Sequence, residues 1–142
     1  MFRKTSPRNT DQRRGIAAVE LAILLPILAF LFVVAVDFAR IFYFSLTITN
    51  CARNGALYGC DPVSAQQSPY SSIQDASLAD AGNLQPTPTV SSQNISDESG
   101  NQIEVTVSYT FKTIAQFPGI PNSMNLTRSV RMRMIPRIPN FN

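Results

Sequence analysis

From Leu21 to Val36 the chain reads LAILLPILAFLFVVAV, sixteen residues without one polar side chain. If Glu20 is admitted, the run reaches back to Ile16 and covers 21 residues, Ile16 to Val36. At 1.5 Å per residue that is about 32 Å of helix, which matches a bilayer core of about 30 Å. Pro26 lies inside the run. A membrane helix tolerates it because neighbouring helices can satisfy the freed carbonyl, so a local kink is expected there. Once this segment is set aside, roughly 80 residues from Cys60 onward remain, near the lower limit for a domain that folds alone.

Charge sets the direction of the segment. Arg3, Lys4, Arg8, Arg13 and Arg14 precede it against a single acid, Asp11. Downstream of Ile16, seven Lys/Arg face eight Asp/Glu, a net of −1. Positive residues stay cytoplasmic, so the N-terminus is expected in the cytoplasm and the remainder on the far side. Nucleic-acid binding is not expected, because its positive charge would sit on the folded domain. Neither is an enzyme or a cofactor. There is no His, only two Cys, and no P-loop, GxGxxG, GxSxG or HExxH pattern.

Glu20 requires an explanation. An acid at the centre of a membrane helix costs about 2.5–3.5 kcal/mol on insertion scales. One turn inside the boundary its side chain can reach the headgroups at reduced cost. The surrounding string, Arg13-Arg14-Gly15-Ile16-Ala17-Ala18-Val19-Glu20, resembles the processing site of type IV prepilins. In that family a membrane peptidase cuts after the glycine, and a glutamate occupies the fifth mature position. The resemblance implies a cut between Gly15 and Ile16. The new α-amino group at Ile16 would then meet the Glu20 carboxylate of its own chain or a neighbour, making burial of both charges tolerable and favouring assembly.

The resemblance narrows along the next residues. The chain continues with Pro26 in the apolar run, then Asp37-Phe38-Ala39-Arg40, then Ala52-Arg53-Asn54-Gly55-Ala56. Together these resemble the TadE-like family, minor pseudopilins of the tight-adherence (Flp-type) type IV pilus system. The resemblance implies a single-pass protein of the bacterial inner membrane whose C-terminal part is periplasmic. It implies a structural role in assembling a pilus or a related secretion apparatus. Its partners would be the lipid bilayer, a prepilin peptidase, other pilin or pseudopilin subunits and membrane proteins of pilus assembly. Two alternatives stand beside this reading. One is an uncleaved, membrane-anchored extracytoplasmic binding module. The other is a cleaved secretory signal with a Val33-x-Ala35 site, against which Glu20 and the length of the apolar run argue.

Past the membrane no proline occurs from Asp37 to Leu57. Phe38, Ile41, Phe42, Leu46, Ala52 and Ala56 recur at helical spacing and predict one apolar stripe. Asp37 and Arg40 are placed to pair, a solvated pair being the simpler expectation. Gly59 and Pro62 predict the helix end. Cys51 and Cys60 would lie about 13.5 Å apart along a continuous helix, beyond the roughly 7 Å a disulfide spans. A bond between them therefore needs the chain to turn back after Tyr58, with inter-chain pairing or free thiols as the other outcomes.

The rest reads as a small α+β unit. Ser71 or Ser72 predicts the cap of a short helix to about Ala81. Thr89 to Ile95 is a modest strand, and Asp97 to Asn101 a hairpin turn. Gln102 to Phe111 alternates, with Ile103, Val105, Val107, Tyr109 and Phe111 on one face. Leu126 to Met134 alternates likewise, which puts Arg131 and Arg133 on the open face, opposite acids such as Glu104. The apolar loop Phe117 to Pro121 either tucks under the sheet or offers a contact. The expected organisation is a basic leader over 1–15, a membrane helix with an external extension over 16–59, and an extracytoplasmic domain over 60–142. The expected fold class is α+β: a long transmembrane helix continuing outside the membrane, then a short helix and a three-stranded antiparallel sheet.

Overall fold

The computed structural model describes residues 10–98, 100–114 and 121–136, with side chains from Gly15 onward. The leader before Thr10, the apolar loop at 117–120 and Arg137 lie outside the described residues. The expected architecture is present: one long helix, then a small domain with short helices and a three-stranded antiparallel sheet. Helix α1 runs unbroken from Thr10 to Cys60 with Pro26 inside it. At 51 residues it is about 76 Å long. Two short helices follow, α2 (Pro62–Gln66) and α3 (Ile73–Leu78). The sheet is β1 (Thr89–Asp97), β2 (Gly100–Lys112) and β3 (Ser123–Arg133), in the order β1-β2-β3.

β2 sits in the middle because its inner face is the most apolar stretch outside α1. Ile103, Val105, Val107, Tyr109 and Phe111 are all buried, as the period-2 pattern predicts. They pack on a stripe of α1 formed by Ile48, Cys51, Ala52 and Ala56. The hairpin between β1 and β2 closes at the pair Asp97–Gly100. Gly100 has φ of +103°, a left-handed conformation that side chains resist. Across β2 and β3, Glu104 pairs in register with Arg131, and the two side chains meet at 2.8 Å, the cross-strand pairing expected.

Helix and strand run antiparallel in a stepped register. A Cβ on Gly55 would lie 2.0 Å from the Ser77 hydroxyl oxygen and 3.1 Å from Val105. This is close approach of three elements that only hydrogen on Cα permits. Further down, the Phe44 ring lies 5.3 Å from Tyr109 and 5.6 Å from Phe111 between centroids. At the top, the Cys60 carbonyl accepts from the Ile135 N–H at 2.8 Å, which satisfies a carbonyl that a helix end leaves orphaned.

Several expectations need correction. Phe38, Phe42 and Leu46 do not join the buried stripe with Ile41, Ala52 and Ala56; they face outward and are exposed. Large apolar residues occupy both sides of this part of α1. The sheet approaches the side where glycine and alanine allow contact, which a count of apolar positions does not reveal. The Asp37–Arg40 pair forms at 3.1 Å, yet it is not solvated, since Asp37 is only 6 % exposed. The short helix ends at Leu78, not near Ala81, and α2 was not expected. Asp61 caps α2 by accepting from the N–H groups of Val63 and Ser64, and Ser72 caps α3 by accepting from the Asp75 N–H. β1 extends two residues beyond Ile95, to Asp97.

Candidate functional site

Along α1 the residues singled out by sequence fall into three zones. The first is the stretch from Gly15 to Phe32, in which every side chain is exposed. A Cβ built on Gly15 meets nothing within 4 Å, so among the described residues nothing packs against the Gly15–Ile16 bond. Ile16 and Glu20 are four residues apart on the helix and therefore share one face, about 5–6 Å from each other. Glu20 too is exposed. Among the described residues, α1 supplies the single segment long and apolar enough to cross a membrane, within Gly15–Cys60, and its most apolar window is nowhere buried by the domain.

The second zone is the junction where α1 meets the sheet. The Ile114 N–H, just past the end of β2, donates to both carboxylate oxygens of Asp37 at 3.2 and 3.1 Å. Arg40 donates to the same carboxylate. It also lies 5.0 Å from the Phe111 ring centroid and 5.8 Å from that of Phe44. Asp37 is thus a clasp between helix and sheet, with its charge satisfied by a backbone donor and a guanidinium held against aromatic faces. Nearby, Asn83 donates to the Tyr43 hydroxyl at 2.6 Å. The Tyr109 hydroxyl donates to the Gln85 carbonyl at 3.0 Å. The Asp-aromatic-small-Arg motif therefore acts as a joint. Sequence alone shows the acid and the arginine one turn apart but not the distant amide that makes the acid buried.

The third zone is the Ala52-to-Ala56 segment and the cysteines. Ala52, Gly55 and Ala56 are buried, while Arg53 points outward. Asn54 donates to Asp80 at 2.8 Å. The pattern is a packing surface: small residues admit α3 and β2, and polar ones lie at the margin. A glycine in mid-helix, where it costs about 1 kcal/mol relative to alanine, was the signal for that close approach. Cys51 is buried, Cys60 partly so, and both thiols are free. The helix continues through Cys60, so the turn after Tyr58 that an intrachain bond requires is not made. Burial pushes the Cys51 thiol up, with the Asp80 carboxylate adding to it. Burial also raises the Cys60 thiol, helped by Asp61.

On the open face of the sheet, Glu104 accepts from Arg131, Gln93 and Ser129. The hydrogen bond from Arg131, followed by those from Gln93 and Ser129, holds its carboxyl down at about 2. Around this pair run the hydroxyl contacts Thr106–Ser129 and Ser108–Thr127. A cleft of about 350 Å³ between α1, α2 and α3 is lined by residues including Asn54, Tyr58, Ser64 and Tyr70. Among the described residues no group of three or more His, Cys, Asp or Glu gathers in one place. The arrangement offers surfaces for packing.

No curated protein and no solved structure matches this chain. Residues 15–57, which hold the bare stretch, the Asp37 clasp and the small-residue surface, match the family model of TadE-like protein, the family that the motifs resemble.

Proposed function

We propose that this protein is a minor pseudopilin of a tight-adherence pilus or a related secretion apparatus, trimmed by a prepilin peptidase after Gly15 and working through packing, not catalysis. The observation that carries the reading is the bare stretch of α1. It spans a membrane's thickness, is left uncovered by its own domain, and begins with the Gly15 and Glu20 pattern inside the segment matched to the TadE-like family. An apolar surface of that extent is retained only when lipid or other helices cover it. In the membrane of a bacterial cell the leader would remain cytoplasmic and the sheet domain would stand on the far side.

Trimming supplies a chemical reason for Glu20. Before the cut, the nitrogen of Ile16 is an amide. After it, that nitrogen is an amine that carries a positive charge near neutral pH. The Glu20 carboxylate, one turn away on the same face, can meet it or the same group of a neighbouring subunit. Partner subunits and the assembly proteins of the membrane would dock along this helix, and Glu20 would set their register.

The test is the N-terminus of the mature protein isolated from its native host. Intact mass and N-terminal sequencing should give Ile16 as the first residue, and Gly15→Ala should preserve the uncut chain. Glu20→Gln should leave trimming in place and weaken crosslinking to partner subunits. A mature chain that still carries the residues before Ile16 would reduce the protein to an anchored extracytoplasmic module.

A further inference from the structure

The Asp37 clasp fixes more than the joint itself, because it sets the height of the sheet above the apolar run. Leu21 to Val36 is the uninterrupted apolar stretch, and Asp37 is the next residue. Its carboxylate holds the Ile114 N–H. The lower end of β2 is therefore level with the point where α1 leaves the bilayer. A domain carried at the top of α1 would instead stand on some 20 residues of free helix, about 30 Å away.

The composition of that lower end differs from the upper one. Ile114 is 59 % exposed and Met124 42 % exposed. On α1, Phe38, which shares a cavity with Met124, is 68 % exposed, and so is Phe42 one turn above it. Between helix and sheet at this level lies a cavity of about 250 Å³, lined by Val34, Phe38, Ile41, Pro121 and Met124 with Asp37 at its wall. Asp37, the charged residue that lines this cavity, is satisfied by its own amide and guanidinium partners, while Lys112, the last residue of β2, is exposed nearby. At the opposite end of the sheet, the exposed residues include the charged and polar Asp97, Glu98, Asn101 and Arg133 beside Ile135. The upper end is mostly polar, and the lower end is mostly apolar where it adjoins the apolar run of α1.

We infer that the end of the sheet formed by Ile114, Pro121 and Met124, together with Phe38 and Phe42 of α1, is a lipid-contact surface that seats the domain in the outer leaflet of the bilayer. The inference rests on the membrane-spanning reading of α1 given above and adds the orientation of the domain to it. Phospholipid is the occupant because the surface continues the exposed apolar face of α1, and Lys112, exposed at the end of β2, can lay its stem along that surface with its ammonium at the headgroups. Aromatic side chains at that depth are favoured at the boundary between headgroups and acyl chains. The seated domain has its Glu104–Arg131 face turned sideways and its hairpin at Asp97–Gly100 farthest from the membrane.

The chain contains no Trp, which makes a single introduced indole a clean probe of depth. Four variants of the full chain suffice: Ile114→Trp, Met124→Trp, Asn101→Trp and Leu28→Trp. Each is reconstituted in vesicles of phosphatidylethanolamine and phosphatidylglycerol containing phospholipid brominated near the headgroup end of its acyl chains. The expected result is strong loss of emission by the brominated lipid for Ile114→Trp and Met124→Trp, with protection from aqueous iodide. Asn101→Trp should show the reverse, and Leu28→Trp should be shielded from iodide as a marker of the span. If Leu28→Trp is shielded while Ile114→Trp and Met124→Trp respond to iodide as Asn101→Trp does, the domain stands clear of the lipid and the inference fails alone. If Leu28→Trp also responds to iodide, the span fails and takes the inference with it.

Discussion

Two isoleucines on the same helix live in opposite environments. Ile23, in the first half of α1, is 63 % exposed, whereas Ile48, in the second half, is fully buried. Nothing in the backbone distinguishes them, since α1 is continuous from Thr10 to Cys60. What differs is the neighbour. From Asp37 onward one side of the helix is sealed by β2 and α3, and before Val33 nothing among the described residues covers it. The contrast separates two jobs. The second half of α1 is a structural member of a small domain that could not assemble a core without it. The first half contributes nothing to that core and carries the surface through which the protein meets its surroundings.

The comparison predicts that the same truncation has unequal effects. Ile48→Ala should destabilise the domain by about 2–5 kcal/mol, the cost of a cavity in a packed core. Ile23→Ala should leave domain unfolding unchanged. Denaturant unfolding of the full chain in detergent, followed by near-ultraviolet circular dichroism of buried Tyr109, measures both. Equal effects would mean that the helix unfolds as one unit and that the division at Asp37 has no energetic meaning.

The two glycines sharpen the same contrast. Gly55→Ala puts a methyl group where the Ser77 hydroxyl oxygen would be 2.0 Å away. That hydroxyl is buried and already donates to the Ile73 carbonyl at 2.7 Å. Relief therefore requires α3 to move, at about 1–3 kcal/mol, as overpacking usually costs. Gly15→Ala has open space and gains helix propensity, so domain stability should stay level while trimming stops. Thermal unfolding and the mass of the mature chain read the two outcomes. A Gly55→Ala variant as stable as the parent would show that the close approach at Ser77 is easily relaxed.

How far the sequence reveals this division depends on the kind of signal. The apolar run and β2 were legible as elements because their patterns, an unbroken stretch of apolar residues and strict alternation from Ile103 to Phe111, are local. The Glu104–Arg131 pair was legible for the same reason: the face of each residue follows from parity. The buried side of α1 beyond Asp37 was not. Phe38, Phe42 and Leu46 look like core by size, yet the sheet chose the side with Ala52, Gly55 and Ala56, because small side chains permit backbone approach. The clasp was hidden for a different reason. Asp37 and Ile114 are 77 residues apart, and no local pattern links an acid to a single backbone amide at the end of a strand. Gly15 and Glu20 are the reverse case. Resemblance singles them out, and both are exposed on α1, outside the packed core.

The joint itself offers a prediction of smaller reach. Asp37→Leu removes the acceptor of the Ile114 N–H and the partner of Arg40, leaving two part-buried donors unmatched. The cost should be about 1–3 kcal/mol, and it should be local. Hydrogen exchange at the Ile114 amide should accelerate strongly, while amides of β2 near Ile103, at the other end of the sheet, should change little. Uniform acceleration along β2 would show that the clasp supports the whole domain and not its lower end.

Acid offers the mildest probe, because its effect on the domain can be read at the sheet's open face. In the folded chain the Glu104 carboxyl titrates at about 2, against an ordinary value of 4.5. A folded-state value below the unfolded one means that the unfolded chain binds a proton first as pH falls. The stabilisation from this group is therefore complete above pH 4.5, declines through the interval between, and is gone once the folded carboxyl is protonated near 2. The side chain lies on the solvent face, so screening keeps the effect small. Glu104→Gln should lower stability slightly at neutral pH and flatten the decline between pH 4.5 and 2. The signal lies in the difference between the two acid-unfolding curves, since other carboxylates contribute to both. Parallel curves for the parent and Glu104→Gln would mean that the Arg131 contact does not outlast hydration, and that the open face is held only by its strand pairing and hydroxyl contacts. A flattened curve, with helical circular dichroism from the bare half of α1 preserved in detergent throughout, would show that the sheet can be loosened while the membrane half of the helix stays formed.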